Sequence, residues 1–426
     1  MRTIRNTLSQ MQRNQAPSRP APKPNNKRKN NIRSLEEERR KRRRVPEDAP
    51  SEQLPQAHGH TPRQPGSIDT ILLLVIISLV LFGIVMVFSS SYYYALTHSS
   101  FGGDMYHFVK LQIAWSAIGF VGLAIMIHFP YRVVRRFGGI AYWFSVVCLV
   151  LVQIIGEEIQ GSKRWLGVGP IGFQPSEVAK IAVILFLADY VARHQEELGT
   201  LKGFLKAVGV LALPTALVAV SNLSTAIVIF AIGVTILFVA SPKIWYFVVA
   251  GFGAVAALAL LLLLPMFAYR ISRIRAWLDP FGDILDKGFQ IVQSLYAVAS
   301  GGMFGLGLGQ SRQKFFVPEP YNDIIFAIIC EELGMVGAAI VILLFMVLVW
   351  RGTKIAMEAR DLYGTLVAAG IVMLIGVQVI INIAVATNSM PNTGMQLPFI
   401  SYGGSGMVFT LGSMGILLNI SRYKLK

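Results

Sequence analysis

Ten separate stretches of about twenty apolar residues run along this chain, and nothing else in the sequence narrows its fold as far. A helix rises 1.5 Å per residue, so ~20 apolar residues cross the ~30 Å hydrocarbon layer of a bilayer. The stretches fall at 69–90, 107–128, 138–156, 175–192, 204–220, 222–241, 244–266, 322–350, 363–387 and 400–420. With 54% of the 426 residues hydrophobic and only 15% charged, the chain is too apolar for a soluble fold, in which charged residues run near ~25%. The expectation is an all-α, polytopic membrane protein of ten transmembrane helices, with both ends on one side.

The fifth and sixth stretches meet at Ser221-Asn222, and merging them would invert the second half of the chain. Loop charge argues for keeping them apart. Arg132, Arg135 and Arg136, the connection from Arg193 to Lys202, Lys243, the connection from Arg351 to Arg360 and the end from Arg422 to Lys426 alternate with connections 91–105 and 388–399, which hold no Lys or Arg. Positive loops stay inside, so both termini are expected in the cytoplasm. Residues 1–65 carry 16 Lys and Arg against 6 Asp and Glu, most of the net charge of +16. Residues 1–67 therefore form an expected disordered, basic cytoplasmic tail ahead of a membrane domain over 68–426. A cleavable secretory signal does not fit, because the first apolar run begins only near Ile68. The basic excess sits in a tail followed by membrane spans, which makes nucleic acid a poor partner. Cys148 and Cys330 both lie in apolar runs, which excludes a disulfide scaffold and a cysteine metal site.

One connection breaks the charge rule. Residues 267–321 form a large loop between helices 7 and 8, outward on this topology, yet hold Arg270, Arg273, Arg275, Lys287, Arg312 and Lys314. An anionic ligand is one reason for that charge; pairing with Asp279, Asp283, Asp286 and lipid headgroups is the other, and both stay open on composition alone. Asp279-Pro280-Phe281-Gly282-Asp283, followed by Lys287-Gly288-Phe289-Gln290 and Gln293-Ser294, sets carboxylates among cations. One of them is placed either to act as a general base or simply to form a turn. The run 300–310 has five glycines but no following Lys-Ser/Thr pair and no βαβ frame. It is read as close backbone approach at an outer surface, not as a phosphate loop.

Charges also sit inside the spans. Lys180 follows Glu177 by three residues and shares its helix face; the two either pair and snorkel or face a cavity. Asp323, Glu331 and Glu332 lie in the eighth span, Glu331 ~12 Å beyond Asp323 along a helix. Adjacent acids at that depth need partners or a proton. Gln378 and Asn382, four apart, form a polar face suited to interhelical hydrogen bonds. No HExxH, no GxSxG with a matching His and no metal-ligand cluster occurs, which disfavours hydrolases of those classes.

Several ordered strings together resemble one family. They are Lys163-Arg164-Trp165 with Phe173-Gln174-Pro175-Ser176-Glu177-Val178-Ala179-Lys180, then Asp279-Pro280 through Asp283 to Gly288-Phe289-Gln290 and Gln293-Ser294. Val317-Pro318-Glu319 follows, through Asp323 to Glu331-Glu332-Leu333-Gly334, and finally Asn392-Thr393-Gly394 and Leu397-Pro398-Phe399-Ile400-Ser401-Tyr402-Gly403-Gly404-Ser405. The match covers residues 68–422 and resembles the SEDS family, the FtsW/RodA/SpoVE proteins of bacterial shape, elongation, division and sporulation. Within it the chain is more similar to the division and sporulation members than to the elongation member.

The resemblance implies a peptidoglycan glycosyltransferase of the bacterial cytoplasmic membrane, at the division septum, that polymerises lipid II at the outer face. It implies a class B penicillin-binding protein and other division proteins as partners, no organic cofactor, and a divalent cation, Mg or Mn, as an aid. The family's essential aspartate aligns with Asp283, the expected base for the acceptor sugar's 4-hydroxyl. Glu177 and Lys180 match cavity-lining positions. Arg270, Arg273, Arg275 and Lys314 are expected to offset the departing diphosphate, with Gln290, Gln293, Ser294, Asp323 and Ser401 as further substrate-binding residues. The sequence departs from the family at Ser221-Asn222-Leu223-Ser224-Thr225, where Pro-Asp-x-Gly-Thr is common. It departs again at Ile284, where Pro is frequent, and at Tyr321-Asn322-Asp323 in place of His-Thr-Asp, so Asn222 and Asn322 are given no essential role. A lipid II flippase is the competing activity, but transport asks for polar groups through the whole membrane depth. A division scaffold working through the basic tail is compatible with either.

Overall fold

The computed structural model describes residues 66–159, 162–168, 171–241, 243–263, 268–282 and 288–423. Apart from its last two residues, the expected basic tail lies outside them. Ten helices of eighteen residues or more are found among the described residues: α1 (Thr70–Thr97), α2 (His107–His128), α3 (Tyr131–Ile155), α4 (Pro175–Arg193), α5 (Leu201–Ser221), α6 (Leu223–Ala240), α7 (Trp245–Leu263), then, beyond two shorter helices, α8 (Ala268–Leu278) and α9 (Phe289–Ser300), the long α10 (Ile325–Met357), α11 (Leu362–Ala386) and α12 (Gly404–Ser421). Eight of the ten are long and apolar enough to cross a membrane. α4 carries Glu177, Lys180, Asp189 and Arg193 and falls outside that set.

Local chemistry fixes where the helices start. Asp69 accepts from the Leu72 amide at 3.0 Å and Asp361 from the Gly364 amide at 2.8 Å, capping α1 and α11. Pro175 opens α4, where a missing N–H costs nothing. Asn222 stands between α5 and α6, its side chain accepting from the Thr225 amide at 3.1 Å. That cap keeps the fifth and sixth stretches as two helices.

The core runs the length of the bundle. α11 is packed against α4, α6 and α10, while α12 lies along α2 and α3 along α4. Ile184, Leu187, Ile371 and Ile375 are buried at the centre, and lone apolar side chains such as Ile140, Trp143 and Ile154 face outward. At one end, arginines of the expected cytoplasmic connections are paired: Arg135 and Arg193 with Asp189, Arg132 with Asp361 at 3.6 Å, and Arg351 with Asp69.

Two features were not foreseen. A three-stranded antiparallel sheet, β1 (Glu157–Ile159), β2 (Ser162–Val168) and β3 (Ile171–Phe173), stands between α3 and α4. It is too short for periodicity to reveal. The loop over 267–321 also contains α8 and α9, and its glycine-rich run makes the close backbone approach expected of it while Met303, Phe304 and Leu308 stay exposed. It is packed into α10, which is broken at Gly334 (φ 66°, ψ −167°). The Leu306 and Gly307 amides donate to the carbonyls of Glu331 and Glu332 at 2.9 Å, and the Met335 and Val336 amides donate to Gly302 and Met303. The break frees backbone groups inside the membrane domain, and the loop satisfies them. A Cβ on Gly305 would stand 2.2 Å from the Glu332 carbonyl oxygen, so only glycine permits the contact.

Candidate active site

A cavity of about 370 Å³ opens where the sheet, the start of α4 and the connection between α11 and α12 converge. Arg164 and Trp165 enter from β2, Gln174 and Glu177 from the head of α4, and Asn222 and Thr225 from the α5–α6 junction. Arg273 comes from α8, Gln290 from α9, and Glu319, Asn322 and Asp323 from the segment leading into α10. Gln396 and Ser401 close the side formed by the final connection.

Hydrogen bonds tie these elements into one frame. The Asn392 amide donates to Gln290 Oε1 at 2.6 Å, and Gln290 Nε2 reaches Asp323 Oδ1 at 3.5 Å. Arg273 donates to the Asn392 carbonyl at 3.1 Å and Trp277 to the Asn388 carbonyl at 2.9 Å, which fastens α8 to the final connection. Asn382 Nδ2 lies 2.8 Å from the Asp323 carbonyl and 2.7 Å from that of Met395. The polar face of α11 is thus spent on holding loops. Glu177 pairs with Lys180 at 2.7 Å, the lysine 3% exposed behind the acid that lines the cavity.

The helix α10 begins at Ile325, so Asp323 precedes it and does not lie within it. Burial pushes the Asp323 carboxyl up to about 6; the negative charge of Glu319 adds to the effect and Arg273 opposes it. Two residues of the lining hold a left-handed backbone, Glu319 at φ 52° and Phe399 at φ 66°. Such strain costs about 1–3 kcal/mol per residue and persists only where surrounding contacts enforce it. The described lining therefore offers three acidic side chains, Glu177, Glu319 and Asp323, two guanidinium groups and a ring of amides, a set of donors and acceptors suited to a polar ligand.

The model of the FtsW/RodA/SpoVE family, described as cell cycle protein, matches residues 69–426. The chain belongs to this family. Stage V sporulation protein E of Bacillus subtilis (strain 168) is 43% identical over 360 residues, 83% of this chain and 97% of that protein. A protein named probable peptidoglycan glycosyltransferase FtsW from Geobacter sp. (strain M18) is 37% identical over 358 residues, 83% and 96% of the two chains. A structure described as the structural coordination of polymerization and crosslinking by a peptidoglycan synthase complex aligns with TM-score 0.70 and 25% identity, over 84% of this chain and 99% of that one. RodA of Thermus thermophilus shares the fold, with TM-score 0.62 and 24% identity over 84% and 98%. FtsW/RodA/SpoVE membership makes the chain a multi-pass protein of the cytoplasmic membrane.

The residues singled out from the family's strings divide in the structure. Glu177, Arg273, Gln290, Asp323 and Ser401 line the cavity, with Lys180 directly behind. Ser401 is 3% exposed and its hydroxyl is engaged with the Asn322 carbonyl at 2.6 Å and the Leu397 amide at 2.8 Å, so it pins the final connection. Ser294 is buried away from the cavity, donating to the Ala386 carbonyl at 2.9 Å. Gln293 is half-buried on α9 and Arg275 exposed on α8, neither in the lining. Lys314 corrects an expectation. Its ammonium is sealed beside Glu332 at 3.0 Å with both side chains 0% exposed, so its charge serves the break in α10 and not a ligand. Asp283 and the side chain of Arg270 lie outside the described residues. Asp279, in contrast, accepts from the Gly282 amide at 3.0 Å as a turn-former.

Sequence reasoning missed Arg164, Trp165, Glu319, Asn322 and Gln396 as lining residues. The first four stand inside the quoted family strings, and that was the available signal. Asn222 was given no essential role, yet it both caps α6 and lines the cavity.

Proposed function

We propose that this chain is a peptidoglycan glycosyltransferase that polymerises lipid II at the outer face of the cytoplasmic membrane. The observation that carries the reading is the cavity itself: the strings that mark the family converge on one polar, cation-bearing chamber at a single end of the helices. The acceptor sugar's 4-hydroxyl attacks the anomeric carbon of the donor, whose bond to the diphosphate oxygen breaks, and the lipid diphosphate leaves. Asp283 takes the hydroxyl proton as general base. Arg270, Arg273 and Arg275, carried on α8, offset the charge that develops on the diphosphate; Lys314, committed to Glu332, is not in that set. Arg273 and Gln290 line the cavity on either side of Asp283 in sequence, and this supports the proposal that the aspartate works at its mouth. For the expected divalent cation, no group of three His, Cys, Asp or Glu suited to a metal occurs among the described residues.

On this reading the chain has ten spans, both termini in the cytoplasm and the 267–321 loop outside. It works at the septum with a class B penicillin-binding protein and other division proteins. The flippase reading is weaker, because the polar lining ends at Gln378 and Thr410 while Ile371, Ile375, Met414 and Leu417 are buried beyond them. A transport route needs polar groups through the whole depth.

The test uses full-length protein, alone and with its co-purified partner, supplied with fluorescent lipid II. Wild type is expected to make long glycan strands, and Asp283→Ala none at an unchanged melting temperature. Long strands from Asp283→Ala overturn the assignment, and lipid scrambling without polymer overturns the reaction.

A further inference from the structure

Arg164 and Trp165 are consecutive residues of β2, and both line the cavity. In a regular strand consecutive side chains point to opposite faces, so an unbroken strand cannot present both. The pairing register explains the exception. Glu158 pairs with Lys163, but the preceding Glu157 pairs with Trp165. One step on β1 is matched by two on β2, and Arg164 is the additional residue, a β-bulge of the kind that re-aims a side chain. Arg164 Nε donates to the carbonyl of Ser221, the last residue of α5, at 3.2 Å. The bulge is thereby fixed against the bundle, since a helix end leaves that carbonyl without an intrahelical partner.

The aromatic side chains in the described lining are Trp165 and Phe399, and Phe399 is 2% exposed. Trp165 is half-buried and lines the cavity. On the neighbouring strand, a Cβ placed on Gly172 would already stand 3.7 Å from the indole. A bare glycine there leaves the ring's flank uncovered.

We propose that the bulged Arg164–Trp165 pair is a saccharide platform, on which the pyranose ring of an N-acetylhexosamine lies against the indole while the guanidinium bonds to its oxygens. A pyranose carries a face of C–H groups and a rim of hydroxyls. A large, rigid aromatic surface matches the first, and a planar fork of N–H donors matches the second. The identity of the saccharide as part of a lipid-linked substrate rests on the glycosyltransferase reading; the platform itself rests on the bulge.

Initial rates of strand synthesis against lipid II concentration, measured on the full-length protein with its partner, test this directly. Trp165→Ala is expected to raise KM about tenfold with kcat within about twofold, as for loss of a contact made equally in ground and transition states. Trp165→Phe is expected to retain most of the affinity. Gly172→Leu, whose side chain competes for the ring, is expected to raise KM with the indole still present. Calorimetric titration with oligomers of N-acetylglucosamine is expected to show binding to wild type and to Asp283→Ala, and none to Trp165→Ala. A wild-type KM in Trp165→Ala overturns the platform, as does a loss of kcat and of melting temperature that Trp165→Phe fails to restore. If wild type itself makes no strands, the glycosyltransferase reading fails and the oligosaccharide titration alone decides the platform.

Discussion

Two buried lysine–glutamate pairs in this molecule have the same chemistry and opposite settings. Lys180 and Glu177 sit 2.7 Å apart at the head of α4, with the lysine 3% and the glutamate 14% exposed, and the glutamate lines the cavity. Lys314 and Glu332 sit 3.0 Å apart where the glycine-rich run meets the break in α10, and both are 0% exposed. Around the second pair the hydrogen bonding is closed. Glu332 also accepts from Ser89 Oγ at 2.5 Å and the Ser311 amide at 3.4 Å, while Glu331 accepts from Ser311 Oγ at 2.5 Å and the Arg312 amide at 2.9 Å. Lys314 further donates to the Gly309 carbonyl at 2.6 Å and stands 4.8 Å from the ring centre of Tyr92. Glu332 lies roughly 10 Å beyond the start of α10, and Ser89 roughly 12 Å inside the end of α1, so the cluster is well within the helices. A charge pair that opens on a cavity remains available to a ligand. One enclosed by serines and backbone amides is spent on holding a helix break together.

The largest effect expected from breaking this contrast is in Lys314→Met. Removing one partner of a buried pair leaves an uncompensated charge and costs about 3–5 kcal/mol. The measurable result is a sharp fall in melting temperature and in the yield of folded protein. Lys314→Met combined with Glu332→Gln, which removes both charges, is expected to recover more than half of the loss. A single variant that melts with wild type would show that the cluster does not hold the break.

Lys180→Met sharpens the comparison from the other side. The glutamate it leaves behind borders a cavity that water can enter, so the stability loss is expected to be well below that of Lys314→Met. Strand synthesis is expected to fall about 100-fold, equivalent to about 2.7 kcal/mol of barrier. A melting temperature as low as that of Lys314→Met, with synthesis reduced only in proportion to folded protein, would place both pairs in the same structural class.

The sequence displayed the long helices clearly because crossing hydrocarbon demands a run of apolar residues that no other fold needs. It displayed the family strings equally well. It could not distinguish the two lysines, since Glu177–Lys180 is local while Lys314 and Glu332 are brought together only when the glycine-rich run folds back onto α10. Positive charge in an outer loop reads as ligand-binding until the partner across the fold is known. Ser294 and Ser401 stand in the family strings beside the residues of the cavity, yet their hydroxyls are spent on backbone groups. The small sheet was hidden for another reason: strands of three and seven residues carry too few positions for alternation to emerge. Trp165 and Arg164 share the cavity only because of a bulge, and a bulge inverts the very periodicity used to read a strand.

The smallest expected effect concerns a third acid, Asp323, which lines the cavity without a lysine of its own. Its carboxyl is raised from 3.8 to about 6 by burial, with Glu319 reinforcing and Arg273 opposing. A folded-state pKa above the unfolded value means that the folded protein holds the proton more tightly. The favourable contribution is therefore complete below about pH 4 and lost as the pH rises through about 6. Asp323→Asn keeps the shape and cannot ionise. Above pH 6 it is expected to be more stable than wild type by about 1–2 kcal/mol, discounted for water entering the cavity, and below pH 4 the two should melt together. Thermal melts across pH 4 to 8 check the sign. If wild type instead gains on Asp323→Asn as the pH rises, the carboxylate is held as an anion by Arg273, and the cavity contains a second charge pair.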